Sequence, residues 1–294
     1  MNNSVINQMP FYSGSNHVLE FDGVNDYLQL GDTANLQYTK ANIDSHGLTV
    51  IVWYYGIGST TGHGEAPLFR VGTGDGSDNN YYGYTFSINN NGYMVAHLFG
   101  NQGSGAGAGH QNRTTRTSTT ALSANRWNML TFVLPDSDKA NWQFYINNGF
   151  AQTMNTCTGT ACGTATNYPV YYSSPKTYIG WNGRTTSSDF MNYGFLGDIA
   201  IYKTELPQNA IQALYGRATA SPATNGNDLL EPTGNYTQTH ALNLKGWWRM
   251  GDPYGTDSHP SINDEHTVNS NDTRYTATMT NMVSGDIVTT PLWG

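Results

Sequence analysis

Short runs of alternating apolar and polar residues recur between residues 17 and 203, and each is bounded by Gly, Asn, Asp or Pro. Runs of this length that are rich in β-branched and aromatic residues are typical of β-strands. Ten strands without intervening helices favour an all-β sandwich of two antiparallel sheets. The predicted strands are Leu19–Phe21, Tyr27–Leu30, Leu48–Tyr55, Ala66–Val71, Tyr81–Ile88, Tyr93–Phe99, Trp127–Leu134, Trp142–Ile146, Lys176–Ile179 and Gly197–Tyr202.

Turn signals join some of these strands directly. Asn89–Gly92 separates two strands and predicts a hairpin turn, because Asn and Gly tolerate positive φ. The stretch LEFDGVNDYLQLGD, residues 19–32, predicts a second pair of strands around a dense group of Asp and Asn residues. Those side chains either close the turn by hydrogen bonding the local backbone or supply oxygen ligands to Ca²⁺.

A single short helix, Pro207–Gly216, is predicted from Pro at its first position, an apolar stripe at Ile211 and Leu214, and a terminal Gly. The Gly-rich residues 100–113 predict a loop. Residues 218–240 are rich in Pro, Gly and Asn and predict a linker. The chain therefore divides into an N-terminal arm (1–16), a sandwich (17–217), the linker and a C-terminal extension (241–294) that carries further strands.

Composition favours a protein that works outside cells or in a virus particle. Charged residues make up 12% of the chain and aromatic residues 13%, including 20 Tyr and 7 Trp. The net charge of −8 and the absence of Lys/Arg runs argue against nucleic acid as a partner. No apolar stretch is long enough to insert in a membrane, and the N-terminus lacks the pattern of a secretory signal. This combination fits a virion component, and it equally fits a chain whose signal has been removed.

Two cysteines, Cys157 and Cys162, lie on either side of a Thr/Gly turn. A short loop-closing disulfide is geometrically possible, and two free thiols are the alternative. A zinc site is disfavoured because no His or further Cys lies close to them in sequence.

Three segments taken in order resemble one family. They are LEFDGVNDYLQL, SANRWNMLTFVL with WQFYINNGF, and TYIGWNG with GFLGDIAIYKTELPQNAIQALYG. Together they are similar to the laminin-G-like and concanavalin-A-like jelly-roll domains, including those of marine bacteriophage structural proteins. The resemblance runs from Leu19 to Gly216 and implies a jelly-roll sandwich. It also implies calcium between the first turn and the last strand, with Asp22, Asn25, Asp26 and Asp198 as the candidate ligands.

The C-terminal residues 242–282 resemble the segment that precedes the first hairpin in this family, whereas the stretch before Val18 is too short here to hold that segment. The extension therefore completes its own sandwich, adds strands to a neighbouring copy, or begins a second jelly roll that remains unfinished.

A glycanase is the catalytic alternative for such a scaffold. Retaining enzymes need two carboxylates about 5 Å apart, but the chain has only five Glu, and Glu20-Phe21-Asp22 does not continue into the expected acidic pattern. A non-catalytic role is therefore predicted.

Glycan binding is the favoured molecular activity, since sugars stack on aromatic rings and pair with Asn and Asp side chains. The alternative is that these aromatic side chains pack in the core or between subunits. The candidate glycan-binding residues are Asp75, Asn80, Tyr81, Tyr82, Tyr171, Trp181 and Asn182.

These observations favour a non-catalytic structural protein on the exterior of a virion, in the capsid or tail. Its expected partners are other virion proteins, copies of itself and host-surface glycans. No cofactor is required, and Ca²⁺ is the candidate ion. The alternative is a secreted bacterial carbohydrate-binding or adhesion domain, and the second alternative is a jelly-roll glycanase.

Overall fold

The fold is an all-β sandwich of two antiparallel sheets, as the strand pattern predicts. It is seen in a computed structural model that describes residues 17–32, 36, 46–56, 64–72, 83–99, 113–135, 142–150, 176–183, 190–191, 193–220, 229–250, 261–262, 264 and 275–289. Its two sheets enclose one apolar core and form a jelly-roll sandwich. No helix in these ranges is long and apolar enough to cross a bilayer.

The first sheet has the strand order β10-β9-β8-β3-β12-β1-β16, and β13 also pairs with β12. Strand β12 is central, because β3 pairs with one of its edges while β1 and β13 share the other. The strands are β1 His17–Phe21, β3 Leu48–Gly56, β8 Trp127–Leu134, β9 Gln143–Ile146, β10 Gly149–Phe150, β12 Gly194–Tyr202, β13 Leu244–Arg249 and β16 Ile287–Thr289.

The second sheet has the strand order β14-β15-β2-β11-β4-β5-β6-β7. Its strands are β2 Tyr27–Asp32, β4 Glu65–Gly72, β5 Gly83–Asn89, β6 Tyr93–Phe99, β7 Arg113–Ala121, β11 Lys176–Ile179, β14 Ser261–Ile262 and β15 Ala277–Thr280. The pairing predicted within residues 19–32 is wrong, because β1 and β2 are joined by one turn but lie in different sheets, and each pairs with other strands.

The main core lies between the sheets and is built from alternate residues of facing strands. Phe86 of the second sheet packs against Phe132 of the first with ring centroids 4.2 Å apart, and Phe132 meets Phe144 edge-on. Trp248 of β13 is fully buried there, and its indole N–H donates to the carbonyl of Tyr275. Burying a large apolar side chain of this kind contributes about 2–3 kcal/mol.

A second apolar layer covers the outer face of the first sheet. Helix α1, Gln208–Ala220, buries Ala210, Ile211 and Leu214 against Trp53 and neighbouring side chains. The short helix α2, Gln238–Leu242, adds Ala241 to the same layer. The first sheet is therefore covered on both faces, and its strands are apolar on both sides. All nine residues of β12 are buried.

Residues 229–250 and 275–289 pair and pack within the same chain. Strand β13 pairs with β12, β15 with β2 and β16 with β1. Tyr236, inside the predicted linker, is fully buried, and its hydroxyl donates to the carbonyl of Leu229. The domain limits at 217 and 240 stay a prediction, and the second helix was not expected.

Some element boundaries differ from the sequence-based expectation. Helix α1 continues past Gly216 to Ala220, because Gly216 lies on an exposed side of the helix and an Ala-containing segment follows. Strand β7 was missed, since RTTRTSTTA is polar throughout and carries no apolar alternation. The hairpin at Asn89–Gly92 is confirmed, with Gly92 N–H donating to Asn89 O at 2.9 Å and Gly92 at φ +78°.

Several predicted features lie outside the described residues. These are the arm 1–16, the Gly-rich loop except for Arg113, the cysteines Cys157 and Cys162, and five candidate glycan-binding residues: Asp75, Asn80, Tyr81, Tyr82 and Tyr171.

Candidate functional site

One row of polar side chains crosses the outer face of the second sheet from edge to edge. Strand register places these residues directly opposite one another on successive strands. Their neighbours along each strand, such as Tyr84 and Phe86, point into the core, so period-2 alternation turns the row outward. We call it the polar row: Ser261, Thr278, Gln29, Tyr178, Arg70, Thr85, His97 and Thr115.

The centre of the polar row is buried although it lies on an outer face. The exposed fraction is 2% for Arg70, 5% for Thr85 and 4% for His97. Charged and hydroxyl groups lose free energy when they leave water unless hydrogen bonds replace their hydration. These side chains must therefore be held in defined positions by polar partners.

His97 bridges two other strands of the sheet. Its Nε2 lies 2.6 Å from Glu65 Oε2 on β4, and its Nδ1 lies 2.9 Å from Thr115 Oγ1 on β7. A carboxylate accepts hydrogen bonds only, so Nε2 carries the proton when the imidazole is neutral, and Nδ1 then accepts the hydroxyl proton of Thr115. The lone pairs of Thr115 Oγ1 consequently point away from His97, where they are able to accept hydrogen bonds from other donors.

Arg70 joins the polar row to the loop after β11. One guanidinium nitrogen of Arg70 donates to the backbone carbonyl of Asn182. Tyr178 lies opposite Arg70 on the adjacent strand; burial raises the pKa of its phenol, and the charge of Arg70 offsets part of that rise. The row thus combines a fixed cation with hydroxyl groups.

An aromatic group adjoins the polar row at β2 and β11, formed by Tyr27, Tyr178, Trp181 and Phe190. The centroid of Trp181 lies 4.7 Å from that of Tyr27 and 4.8 Å from that of Tyr178, and Trp181 stacks on Phe190 at 5.7 Å. The buried indole N–H of Trp181 has no hydrogen-bond acceptor among the residues that the structure describes.

Two glycines place Trp181 in this group. Gly180 and Gly183 have φ of +82° and +75°, a region that disfavours residues with a Cβ. A Cβ on Gly183 would lie 2.8 Å from the ring of Tyr178. The sequence IGWNG therefore folds the chain back so that Trp181 and Asn182 lie against the sheet.

Of the seven candidate glycan-binding residues, Trp181 and Asn182 are described, and both adjoin the polar row. Whether they bind glycan stays a prediction. Sequence reasoning missed Arg70, His97, Glu65 and Thr115. Polar residues at alternate positions of otherwise apolar strands, as in GYTFSIN and YMVAHLF, were the available signal.

The candidate calcium ligands do not all come together. Asp22 Oδ1 accepts from the N–H of Val24 at 2.7 Å and of Asn25 at 3.2 Å, while Asp26 Oδ2 accepts from Asp22 N–H at 2.7 Å. Asp198 lies farther along β12. The residue of β12 that pairs beside this turn is Gly194, opposite Phe21. Asp198 is instead opposite Arg249 of β13.

Asp286 of the C-terminal segment lies near this turn instead. Burial raises the pKa of Asp26 to about 6, and the nearby charges of Asp22 and Asp286 add to that rise. Within the described residues, no group of three or more His, Cys, Asp or Glu is arranged to hold a metal ion. Calcium binding at this turn stays a prediction from the sequence.

Comparisons with known proteins show the fold. No family model and no curated protein matches the chain. A candidate carbohydrate-binding protein from Bacteroides ovatus is 11% identical with a TM-score of 0.50, over 91% of this chain and 58% of that one. The chain thus spans little more than half of that protein.

Two further solved structures are similar at lower TM-scores. A heptameric SAP-like pentraxin from Limulus polyphemus is 12% identical over 69% of this chain and 83% of that one, with a TM-score of 0.44. The CBM40 of a Ruminococcus gnavus sialidase, bound to α2,3-sialyllactose, is 15% identical over 68% and 96%, with a TM-score of 0.47. Only the Bacteroides ovatus structure supports the fold, at 11% identity, and the site itself must be argued from this chain's residues.

Proposed function

We propose that this chain is a non-catalytic glycan-binding domain whose sugar contacts the outer face of the second sheet. The observation that carries the proposal is the aromatic group beside the polar row. Pyranose rings present C–H faces that stack on Trp and Tyr, and their hydroxyl groups pair with fixed donors and acceptors. Gln29 and Thr278, the more exposed members of the polar row beside this group, supply donors and acceptors.

The preorganisation of the polar groups supports this assignment. A hydrogen bond donated to Glu65 and one accepted from Thr115 fix the tautomer of His97, and the carbonyl of Asn182 fixes the guanidinium of Arg70. A ligand that meets groups already held in position loses less free energy to ordering them. Trp181 is only partly buried, so part of its surface is open to a stacking sugar ring.

A glycan array probed with the whole chain tests the proposal, followed by calorimetric titration of the best glycan. We expect Trp181→Ala to weaken binding at least tenfold, because it removes the central ring of the aromatic group. Trp127→Ala is the matched control, since Trp127 packs against Tyr55 on the outer face of the first sheet. Absence of binding to any glycan, or equal loss in both folded variants, would refute the proposed site.

We propose the exterior of a virion as the location, with other virion proteins and further copies of the chain as partners. Composition and the sequence resemblance to bacteriophage jelly-roll proteins support this proposal. Imaging of purified particles at side-chain resolution tests it, and finding the chain only in a secreted bacterial protein would favour the adhesion-domain alternative.

Release of reducing sugar from polysaccharides by the purified chain would instead identify a glycanase and contradict the non-catalytic assignment.

A further inference from the structure

Two turns and the start of one strand meet at one end of the β1 corner. Phe21, the last residue of β1, pairs with Gly194, the first residue of β12. On the other side of β1, Leu19 pairs with Ile287, which directly follows the 3₁₀ turn Ser284–Asp286. The β1–β2 turn and residues 281–286 also touch, since Asn281 Nδ2 donates to Asn25 O at 2.9 Å.

Three exposed apolar side chains project from this end. Val24 at the tip of the β1–β2 turn is 65% exposed, Val283 before the 3₁₀ turn is 62% exposed, and Tyr193 before β12 is 42% exposed. Leu242, on helix α2, is the other large apolar side chain exposed to this degree in the described ranges. Single exposed apolar residues are ordinary, but a group at one place marks an interaction surface.

Neither valine side chain is needed to form its turn. Asp22 Oδ1 closes the first turn by accepting from the backbone of Val24, and Asp286 Oδ2 accepts from the backbone N–H of Val283 at 2.6 Å. Both interactions use main-chain atoms, so a polar side chain would serve equally at positions 24 and 283. The valines therefore expose apolar surface without a local structural reason.

Carboxylates surround this apolar group. Asp22 is exposed, and Asp286 beside it is half-buried. Tyr193 donates a hydrogen bond to Glu20, and this bond raises the pKa of Tyr193. Asp26 lies beneath, close to Asp22 and Asp286. We call the whole surface the turn patch: Val24, Tyr193 and Val283, with Glu20, Asp22 and Asp286 at its margin.

We propose that the turn patch docks a partner protein through apolar side chains flanked by Lys or Arg. The three margin residues are all acidic, so charge complementarity selects a basic partner. It also argues against a second copy of this chain, because two turn patches would bring carboxylates against carboxylates. The proposal is independent of glycan binding, which uses the outer face of the second sheet.

The test uses the full chain and a short fluorescein-labelled peptide that alternates arginine with leucine. Fluorescence anisotropy should show binding that weakens in high salt and weakens about tenfold, or about 1.4 kcal/mol, in the double variant V24S/V283S. Leu242→Ser is the matched control, because it removes exposed apolar surface elsewhere, and we expect it to bind like the unaltered chain. A peptide with glutamate in place of arginine should not bind.

Four results would overturn the proposal. Three are absence of binding to the arginine–leucine peptide, equal binding by the unaltered chain and V24S/V283S, and equal loss in Leu242→Ser. The fourth is a dimer, detected by sedimentation, that dissociates in V24S/V283S, since the occupant would then be a second copy. Melting temperatures of all variants establish that each one is folded.

Discussion

Asp26 is a residue whose chemistry depends on neighbours distant in sequence. Its position in FDGVNDY predicts a turn former or a metal ligand, and its carboxylate does accept a backbone hydrogen bond within the turn. Only 3% of Asp26 is exposed, and Asp286 approaches it from the other end of the chain. Burial and like charge together favour the protonated form, which the local sequence does not indicate.

The raised pKa of Asp26 predicts a pH-dependent stability. The folded pKa is about 6 and the unfolded value is 3.8, so the folded state binds more protons between these values and stability falls as the pH rises through that window. Asp26→Asn keeps an acceptor for the Asp22 N–H and removes the charge. We expect the variant to be more stable than the unaltered chain at pH 7.5, by on the order of 2 kcal/mol, and equal to it near pH 4.

Urea unfolding between pH 4 and pH 8 measures this difference. Glu231→Gln, a change at an exposed carboxylate, is the control and should leave the pH profile unchanged. A loss of stability in Asp26→Asn at pH 7.5 would mean that the ionised carboxylate stabilises the turn.

At the scale of elements, the segment IGWNG positions the aromatic group through the positive φ of its glycines, and not through a preference of its residues for strand or helix. Gly183→Ala should destabilise the chain by about 1–3 kcal/mol, because alanine disfavours the positive φ at this position and its Cβ would meet the Tyr178 ring. The displacement of Trp181 should also change its fluorescence.

Gly216→Ala is the matched control for that substitution. Gly216 lies inside α1 with open space where a Cβ would be, so we expect this variant to gain about 1 kcal/mol. Thermal unfolding of both variants should shift in opposite directions. Equal shifts would show that the backbone conformation at Gly183 is not what holds the loop.

Strands were predictable where one face is apolar and the other polar, and less so elsewhere. Tyr93–Phe99, Trp127–Leu134 and Lys176–Ile179 agree with the structure at both ends, because alternation or a buried run marks them clearly. Strand β7 has no such pattern, since it is an edge strand whose inward residues include Arg116, stacked over Trp142. Its pairing with β6, not its composition, makes it a strand.

At the scale of the whole molecule, Asp264 links β13 to the strand pair at the C-terminus. Its carboxylate is buried and accepts from Trp247 N–H at 2.8 Å and from Tyr275 N–H at 3.3 Å. Strand β15 lies just after Tyr275 and joins the second sheet, while β13 belongs to the first. This one side chain therefore ties the two sheets together where the C-terminal segment enters the sandwich.

Asp264→Ala should reduce the free energy of unfolding by about 2–4 kcal/mol, because two buried N–H donors lose their acceptor. Asp264→Asn retains one acceptor oxygen and should lose less. Chemical unfolding measures both, and hydrogen exchange should show faster exchange at β15 in the alanine variant. Unchanged protection of β15 would mean that Trp248 and the core alone hold this segment.

The sequence by itself determined the all-β class, most of the strands, the hairpin at Asn89–Gly92 and one helix, because local alternation and turn residues specify these features. It also singled out Trp181, Asn182 and the acidic turn. Only the tertiary structure decided that the polar row aligns across eight strands and that Asp286 rather than Asp198 lies near Asp26. It likewise decided that β1 and β2 lie in different sheets and that C-terminal strands pair with each of them. Register between strands and burial depend on contacts between residues far apart in the chain, and such contacts leave no mark on the local pattern.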